Sequence, residues 1–178
     1  MKPNDVVWQI ESLFAEASQD LIRGMNCDVS VMETECHEVL DAPIALIDAG
    51  TADLELQIAL ELPMAVLALS YPVPNISVVD DESLEDWISE LSNQLMGRLK
   101  TKLLKRDQDV MLGLPGSFFG VDIGEIMTLS EHRYTVYLNV DGEACAFHIG
   151  VETLSDEISF TEADADEEEL MESEIELF

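Results

Sequence analysis

What this chain has least of is positive charge. Eight Lys and Arg stand against 38 Asp and Glu, a formal net charge of -30 over 178 residues. A surface of that sign repels phosphate backbones and anionic lipid, which excludes nucleic acid and membrane surfaces as partners. Cysteine is also sparse. Cys27, Cys36 and Cys145 are odd in number and far apart, so no disulfide framework is expected and a reducing cytoplasm fits best. No apolar run reaches the ~18 residues that suggest a bilayer span. Nor does Met1-Lys2-Pro3-Asn4-Asp5 lead into the apolar stretch of a secretion signal.

Several chemical signatures are missing as well. Gly113-Leu114-Pro115-Gly116 is not followed by the Gly-Lys-Ser/Thr of a phosphate loop, and no Ser–His–Asp set or nucleotide fingerprint is present. Cys27, Cys36 and His37 lack metal-ligand spacing, with His132 and His148 far off; they read as packed thiols and a surface imidazole. His148 alternates with Phe147 and Ile149, which places it on the solvent face of a strand. Asp164-x-Asp166-x-Glu168 has neither the glycine nor the closing glutamate of a calcium loop.

Hydrophobic residues, by contrast, make up 47% of the chain, enough for one domain with a sizeable core. That domain is expected over residues 1–160, with an acidic tail over 161–178. Twelve acidic residues and no basic ones lie between Glu152 and Phe178, although Leu170, Met171, Ile175, Leu177 and Phe178 are apolar.

Periodicity gives the element order. Asn4 or Asp5 caps a first helix that stops at Gly24. Strands are expected over 28–35, over 45–48 and over 54–60, the last two as a hairpin. A short helix over 63–69 turns Met64, Leu67 and Ala68 to the core. The longest helix runs from about Asp80 to Lys105. Strands follow over 107–114, 126–129, 134–140 and 144–149, with an edge strand over 155–161. Asp141-Gly142 is a hairpin turn. Hairpins dominate, so the fold class is α+β, a largely antiparallel sheet with helices packed on one face.

At about 100° per residue, Leu84, Trp87, Ile88, Leu91, Leu95 and Leu99 form the buried stripe of the long helix. Asp86, Glu90, Asn93 and Gly97 line the opposite side. A mid-helix glycine costs about 1 kcal/mol relative to alanine, so an exposed one suggests close approach by another surface. Carboxylates fill the first half of this helix and Arg98, Lys100, Lys102, Lys105 and Arg106 its end, both in the sense that suits the helix dipole. On spacing alone, Glu90 and Asn93 are an unremarkable solvated pair.

The flanks add more. Asp86, Glu90, Asn93 and Pro115, with Glu90-Leu91-Ser92-Asn93-Gln94-Leu95-Met96-Gly97 and Lys100-Thr101-Lys102-Leu103, resemble the motif helix of the CheX/CheC/FliY family of chemotaxis phosphatases. The likeness covers roughly residues 5 to 150. A single motif on the long central helix is the CheX pattern, since the first helix carries no second asparagine. The resemblance implies a CheX-like fold and hydrolysis of the aspartyl-phosphate of a CheY-like response regulator, whose receiver domain supplies Mg²⁺; the chain itself needs no cofactor. It implies that Asn93 orients the attacking water and Glu90 pairs with the receiver's lysine. Asp86, Gly97 and Arg98 would border the docking surface, the Arg98–Arg106 cluster would supply local attraction, and a homodimer is expected. Two other readings stay open: a non-catalytic adaptor using the same face, and a dimerisation or scaffold module whose tail does the binding.

Overall fold

The computed structural model describes residues 1–25, 27–32, 42–72, 80–129 and 132–161. Cys36, His37 and the tail beyond Thr161 lie outside them, as do parts of the first expected strand.

Helix α1 (Pro3–Arg23) starts one residue before the expected cap: Lys2 holds the extended N-cap position and Pro3 opens the helix. Proline's fixed φ suits that first position, so no Asn4 or Asp5 cap forms. Strand β1 (Val29–Val31) is followed by the hairpin β2 (Ile44–Gly50) and β3 (Leu54–Glu61), paired in register from Ile44↔Glu61 to Gly50↔Glu55. Helix α2 (Met64–Ser70) buries Val66, Leu67 and Ser70, while Ala68 faces out, a correction to the expected face. Helix α3 (Asp81–Leu104) is capped by Asp80, whose carboxylate accepts from Ser83 N at 2.9 Å.

The next segment departs from expectation. Instead of one strand over 107–114, the structure has β4 (Met111–Leu112) and β5 (Gly116–Phe118). Both pair with the same edge of β2, Leu112 opposite Ala49 and Gly116 opposite Leu46. Residues 113–115 therefore face only Ile47 and Asp48, three against two, which makes a β-bulge. Pro115 has no N–H to donate and is tolerated at such a bulge, so it interrupts the strand rather than ending it. Gly113 fits because a Cβ there would lie 3.1 Å from Asp48 O. The expected strand over 126–129 is instead the short helix α4 (Ile123–Ile126) and a loop, its apolar residues packing sideways on the sheet.

The long hairpin β6 (His132–Val140) and β7 (Glu143–Thr153) closes at Asp141-Gly142, where both residues have positive φ, 52° and 96°. Such a turn matches the strand twist. Residues 155–161 form no strand, yet Ile158 and Phe160 enter the core.

Among the described residues the sheet has seven strands in the order β1-β6-β7-β3-β2-β4, with β5 also on β2, and every pairing is antiparallel. Helices α1 and α3 cover one face, closing the main core over Ile47, Ile58, Leu138, Phe147 and Ile149. Residues of opposite parity, Ile44 and Ala59, join Met127 and α4 in a second small cluster on the other face. The fold is thus α+β as expected, but its helices are not confined to one side.

The same outer face of the sheet carries a further correction. His148 does point away from Phe147 and Ile149, but its residue is only 5% exposed. The ring is held at both nitrogens, Nδ1 by Thr135 Oγ1 at 2.9 Å and Nε2 by Glu61 Oε2 at 3.0 Å. Period two fixes which face a side chain takes and leaves open whether that face is covered.

Candidate functional site: the outer face of the long helix

The buried side of α3 is set by the expected stripe. Leu84, Ile88, Leu91, Leu95 and Leu99 are buried, joined by Ser92, Met96 and Leu103. Trp87 is half-buried and anchors the first half of the helix: its Nε1 donates to Ser70 Oγ at 3.0 Å, and its ring meets Tyr71 edge-on with centroids 6.1 Å apart. With one side fixed, the other side is fixed too.

Asp86 and Glu90 are exposed, and Asn93 and Gly97 are half-exposed on the same side. Residues three apart on a helix bring their Cβ atoms within about 5–6 Å, so the Glu90 and Asn93 side chains leave the protein as neighbours. The Glu90 carboxylate accepts from Gln94 Nε2 at 3.1 Å, one turn further on. No hydrogen bond engages the Asn93 amide within the described residues, which leaves two donors and an acceptor for an incoming group. A Cβ built on Gly97 meets nothing within 4 Å among the described residues, so no neighbour among them requires the glycine. Its carbonyl accepts from Thr101 Oγ1 at 2.9 Å, a back-bond along the helix.

The cations at the end of α3 do not act as a group. Lys100 donates to Val110 O at 2.6 Å and pairs with Asp109 at 2.9 Å. Lys102 bridges to α1, 3.0 Å from Glu16 and 3.4 Å from Asp20. These two therefore tie α3 to its neighbours, a correction to the expectation that the whole cluster attracts a partner. Arg98 is exposed and lies over the end of α1, where a Cβ on Gly24 would come 3.1 Å from its Nη2. Gly24 thus leaves room for the guanidinium.

Pro115 sits in the bulge between β4 and β5. Lys100 links the segment entering that bulge to the Asn93 side of α3. Beside the proline, Leu114 is 92% exposed and Met111 80%. Three features lie beyond what helical period can show: Gln94 holding Glu90, Gly24 clearing space for Arg98, and the exposed Leu114. Only the first was available in the sequence, as an i, i+4 spacing.

Elsewhere, a groove of about 540 Å³ opens by Asp48, Gln57 and Thr128, on the sheet face away from α3. The Gln57 amide is fully engaged there, donating to Asp48 Oδ1 at 2.8 Å and accepting from Thr128 N at 2.7 Å. No group of three or more potential metal ligands occurs among the described residues, and no helix among them is long and apolar enough to cross a membrane.

Sheet order, the two helices on one face and the position of α3 define a fold class, the one shared by CheX, CheC-like, FliY and FliM chemotaxis proteins. Three solved structures illustrate it. CheX from Vibrio vulnificus superposes with a TM-score of 0.64 at 13% identity, covering 79% of this chain and 95% of its own. The CheX–CheY–BeF3–Mg complex of Borrelia burgdorferi gives 0.60 at 15%, covering 79% and 96%. FliY from Thermotoga maritima gives 0.52 at 16%, covering 86% and 92%. No protein-family model and no curated protein matches the sequence, so the likeness is one of fold.

Proposed function

We propose that this protein is a CheX-type phosphatase of the CheX/CheC/FliY family, which hydrolyses the aspartyl-phosphate of a CheY-like receiver domain. The observation that carries the reading is the Asn93 amide. It is unengaged within the described residues and stands one turn from Glu90 on the outer face of α3, in a fold shared with a CheX that was crystallised with CheY.

In this reading Asn93 enters the receiver's active site and its amide orients a water in line with the phosphorus–oxygen bond. The water attacks phosphorus, the bond to the aspartyl oxygen breaks, and inorganic phosphate leaves with the water's oxygen and one of its protons, the other proton passing to solvent. The receiver's aspartate returns as a carboxylate. Such transfers need little covalent help, and positioning the nucleophile is a sufficient contribution. The receiver's own Mg²⁺ neutralises charge on the phosphoryl oxygens. Glu90, steadied by Gln94, pairs with the receiver's lysine and sets the register. Asp86, Gly97 and Arg98 frame the contact. The setting is cytoplasmic, and the protein acts as a homodimer built on an exposed sheet edge.

The test is phosphate release from candidate receivers of the same genome. Asn93→Ala abolishes acceleration while the far-UV spectrum and melting temperature stay put. Glu90→Ala weakens both binding and turnover. A receiver that binds equally well yet loses phosphate no faster than when alone would make the protein an adaptor. Equal rates for wild type and Asn93→Ala would sink the assignment.

A further inference from the structure

We infer that Leu114, held out by the bulge between β4 and β5, is the apolar contact that seats the receiver beside Asn93 and helps decide which receivers are taken. This rests on the phosphatase reading and deepens it.

Position comes first. Asn93 and Lys100 are seven residues apart, so they share one flank of α3 within about 20° and lie about 10 Å apart along it. Arg98 is on the other flank, over the end of α1. Lys100 fastens the returning chain on Asn93's flank, through Val110 O and Asp109. From there the chain runs back along α3. The helix ends at Leu104, only about 6 Å past Lys100, whereas β5, which begins six residues beyond Val110, still packs against α3. Four residues of nearly extended chain cover about 13 Å, so Leu114 stands about level with Asn93. Leu112 is opposite Ala49, which belongs to the core under α3, so its side chain takes the α3 side of the sheet edge. Together Leu112 and Leu114 give the Asn93 flank an apolar margin.

Presentation is the second observation. Leu114 is 92% exposed, yet its backbone is held. Gly113 N donates to Asp48 O at 2.7 Å, and Leu112 and Gly116 pair with β2 on either side. So short a span, stiffened by Pro115, needs little ordering on binding. A scattered exposed leucine is ordinary. This one is carried on a fixed bulge beside the proposed reacting group, and packing within the fold does not account for it.

Charge decides the occupant. The reacting centre of the receiver is an acyl phosphate, an anion, and this chain has a net charge of -30. Lys100 and Lys102 are engaged with carboxylates of their own chain. Long-range attraction therefore does not hold the two proteins together. From Val110 to Val121 no residue is charged. Along this margin an anionic partner approaches α3 without meeting a carboxylate, and buried apolar area supplies the affinity. A receiver with an apolar side chain or recess next to its phosphorylated aspartate fits. One with a charged side chain there would bury that charge against leucine and is rejected.

The experiment measures binding and turnover separately, on the full chain with receivers of the same genome. Binding is read by fluorescence anisotropy of a labelled receiver held in its phosphorylated form by beryllofluoride and Mg²⁺. Leu114→Ser should raise the dissociation constant and the half-saturating concentration about tenfold or more, while turnover at saturation falls less than twofold. The spread of affinities across receivers should narrow, and Leu114→Met should recover most of the loss. Trp8→Ser, an exposed apolar side chain at the start of α1, should change neither quantity. Equal affinity for wild type and Leu114→Ser, with phosphate release accelerated by both, overturns the inference and leaves the phosphatase reading intact. A wild type that neither binds nor accelerates any receiver ends that reading, and Leu114 loses its occupant with it. Binding without acceleration in wild type, lost in Leu114→Ser, keeps the contact and makes the protein an adaptor. A lower melting temperature for Leu114→Ser, or a changed mass by light scattering, assigns the leucine to folding or self-association and overturns the contact.

Discussion

Replacing Gly97 by alanine separates what α3 needs from what its partner needs. Among the described residues nothing lies within 4 Å of the added methyl group, and the residue is in the middle of a regular 24-residue helix. The substitution should therefore return the full helix preference of alanine over glycine, about 0.8–1.0 kcal/mol. The Thr101 bond to the Gly97 carbonyl involves backbone and is retained. For a chain of this size, 1 kcal/mol raises the melting temperature by roughly 2–4 °C. If a receiver packs closely over position 97, the same methyl intrudes on a fitted contact, at about 1–3 kcal/mol. That is a loss of roughly five- to 150-fold in apparent affinity. Thermal unfolding by circular dichroism and the concentration dependence of phosphate release should then move in opposite directions. An unchanged or lower melting temperature would refute the local helix argument. A stabilised variant with undiminished affinity would refute close approach at Gly97 and leave that glycine without a functional reason.

Other perturbations probe the frame. Glu61→Ala leaves Nε2 of the nearly buried His148 without its partner, and should cost about 1–3 kcal/mol, seen as a lower urea midpoint with phosphate release unaffected; Glu61→Gln should recover most of it. The Asp80 carboxyl is held below the ordinary value of 3.8 by hydrogen bonding to the Ser83 side chain and backbone. A depressed acid stabilises the fold above its unfolded value and loses that contribution as pH falls through the folded one. Asp80→Ala should thus lower the melting temperature at neutral pH, and the difference from wild type should vanish in acid well below 3.8. Lys102→Glu removes the α1–α3 ion pairs and sets like charges against Glu16 and Asp20; a loss of about 1 kcal/mol that shrinks with added salt is expected, with receiver affinity unchanged.

The parts legible in the sequence are those written in strong period. The α3 stripe from Leu84 to Leu99 and the outer row of Asp86, Glu90, Asn93 and Gly97 follow from 3.6-residue repetition over a long segment. The β2–β3 and β6–β7 hairpins follow from alternation and turn chemistry. What escaped depends on tertiary context. The bulge at Gly113–Pro115 is set by pairing with Ile47 and Asp48, more than sixty residues earlier. Ile123 and Ile126 have too short a run to choose between strand and helix, and packing on Ile44 and Ala59 chose for them. Ile158 and Phe160 are apolar because they close the core, not because they pair in the sheet. At the site, spacing placed Glu90 and Asn93 together but was silent on the freedom of the Asn93 amide, which depends on what else comes near it.

The rigidity of α3 has a consequence for partner choice. Capped by Asp80, pinned at Trp87 and tied by Lys102, it fixes the separation of Glu90 and Asn93 as a helical rung that no substitution between them can stretch. On the proposed reading, that pair works as a fixed gauge, fitting any client whose lysine and phosphoryl group stand the same distance apart. It cannot tell such clients from one another. Discrimination would fall to side chains at the margin that are free to vary without disturbing the gauge, with Arg98, Leu104 and the outward-pointing Leu114 foremost. Changing the client would then be a matter of redrafting the perimeter while the chemistry stays untouched.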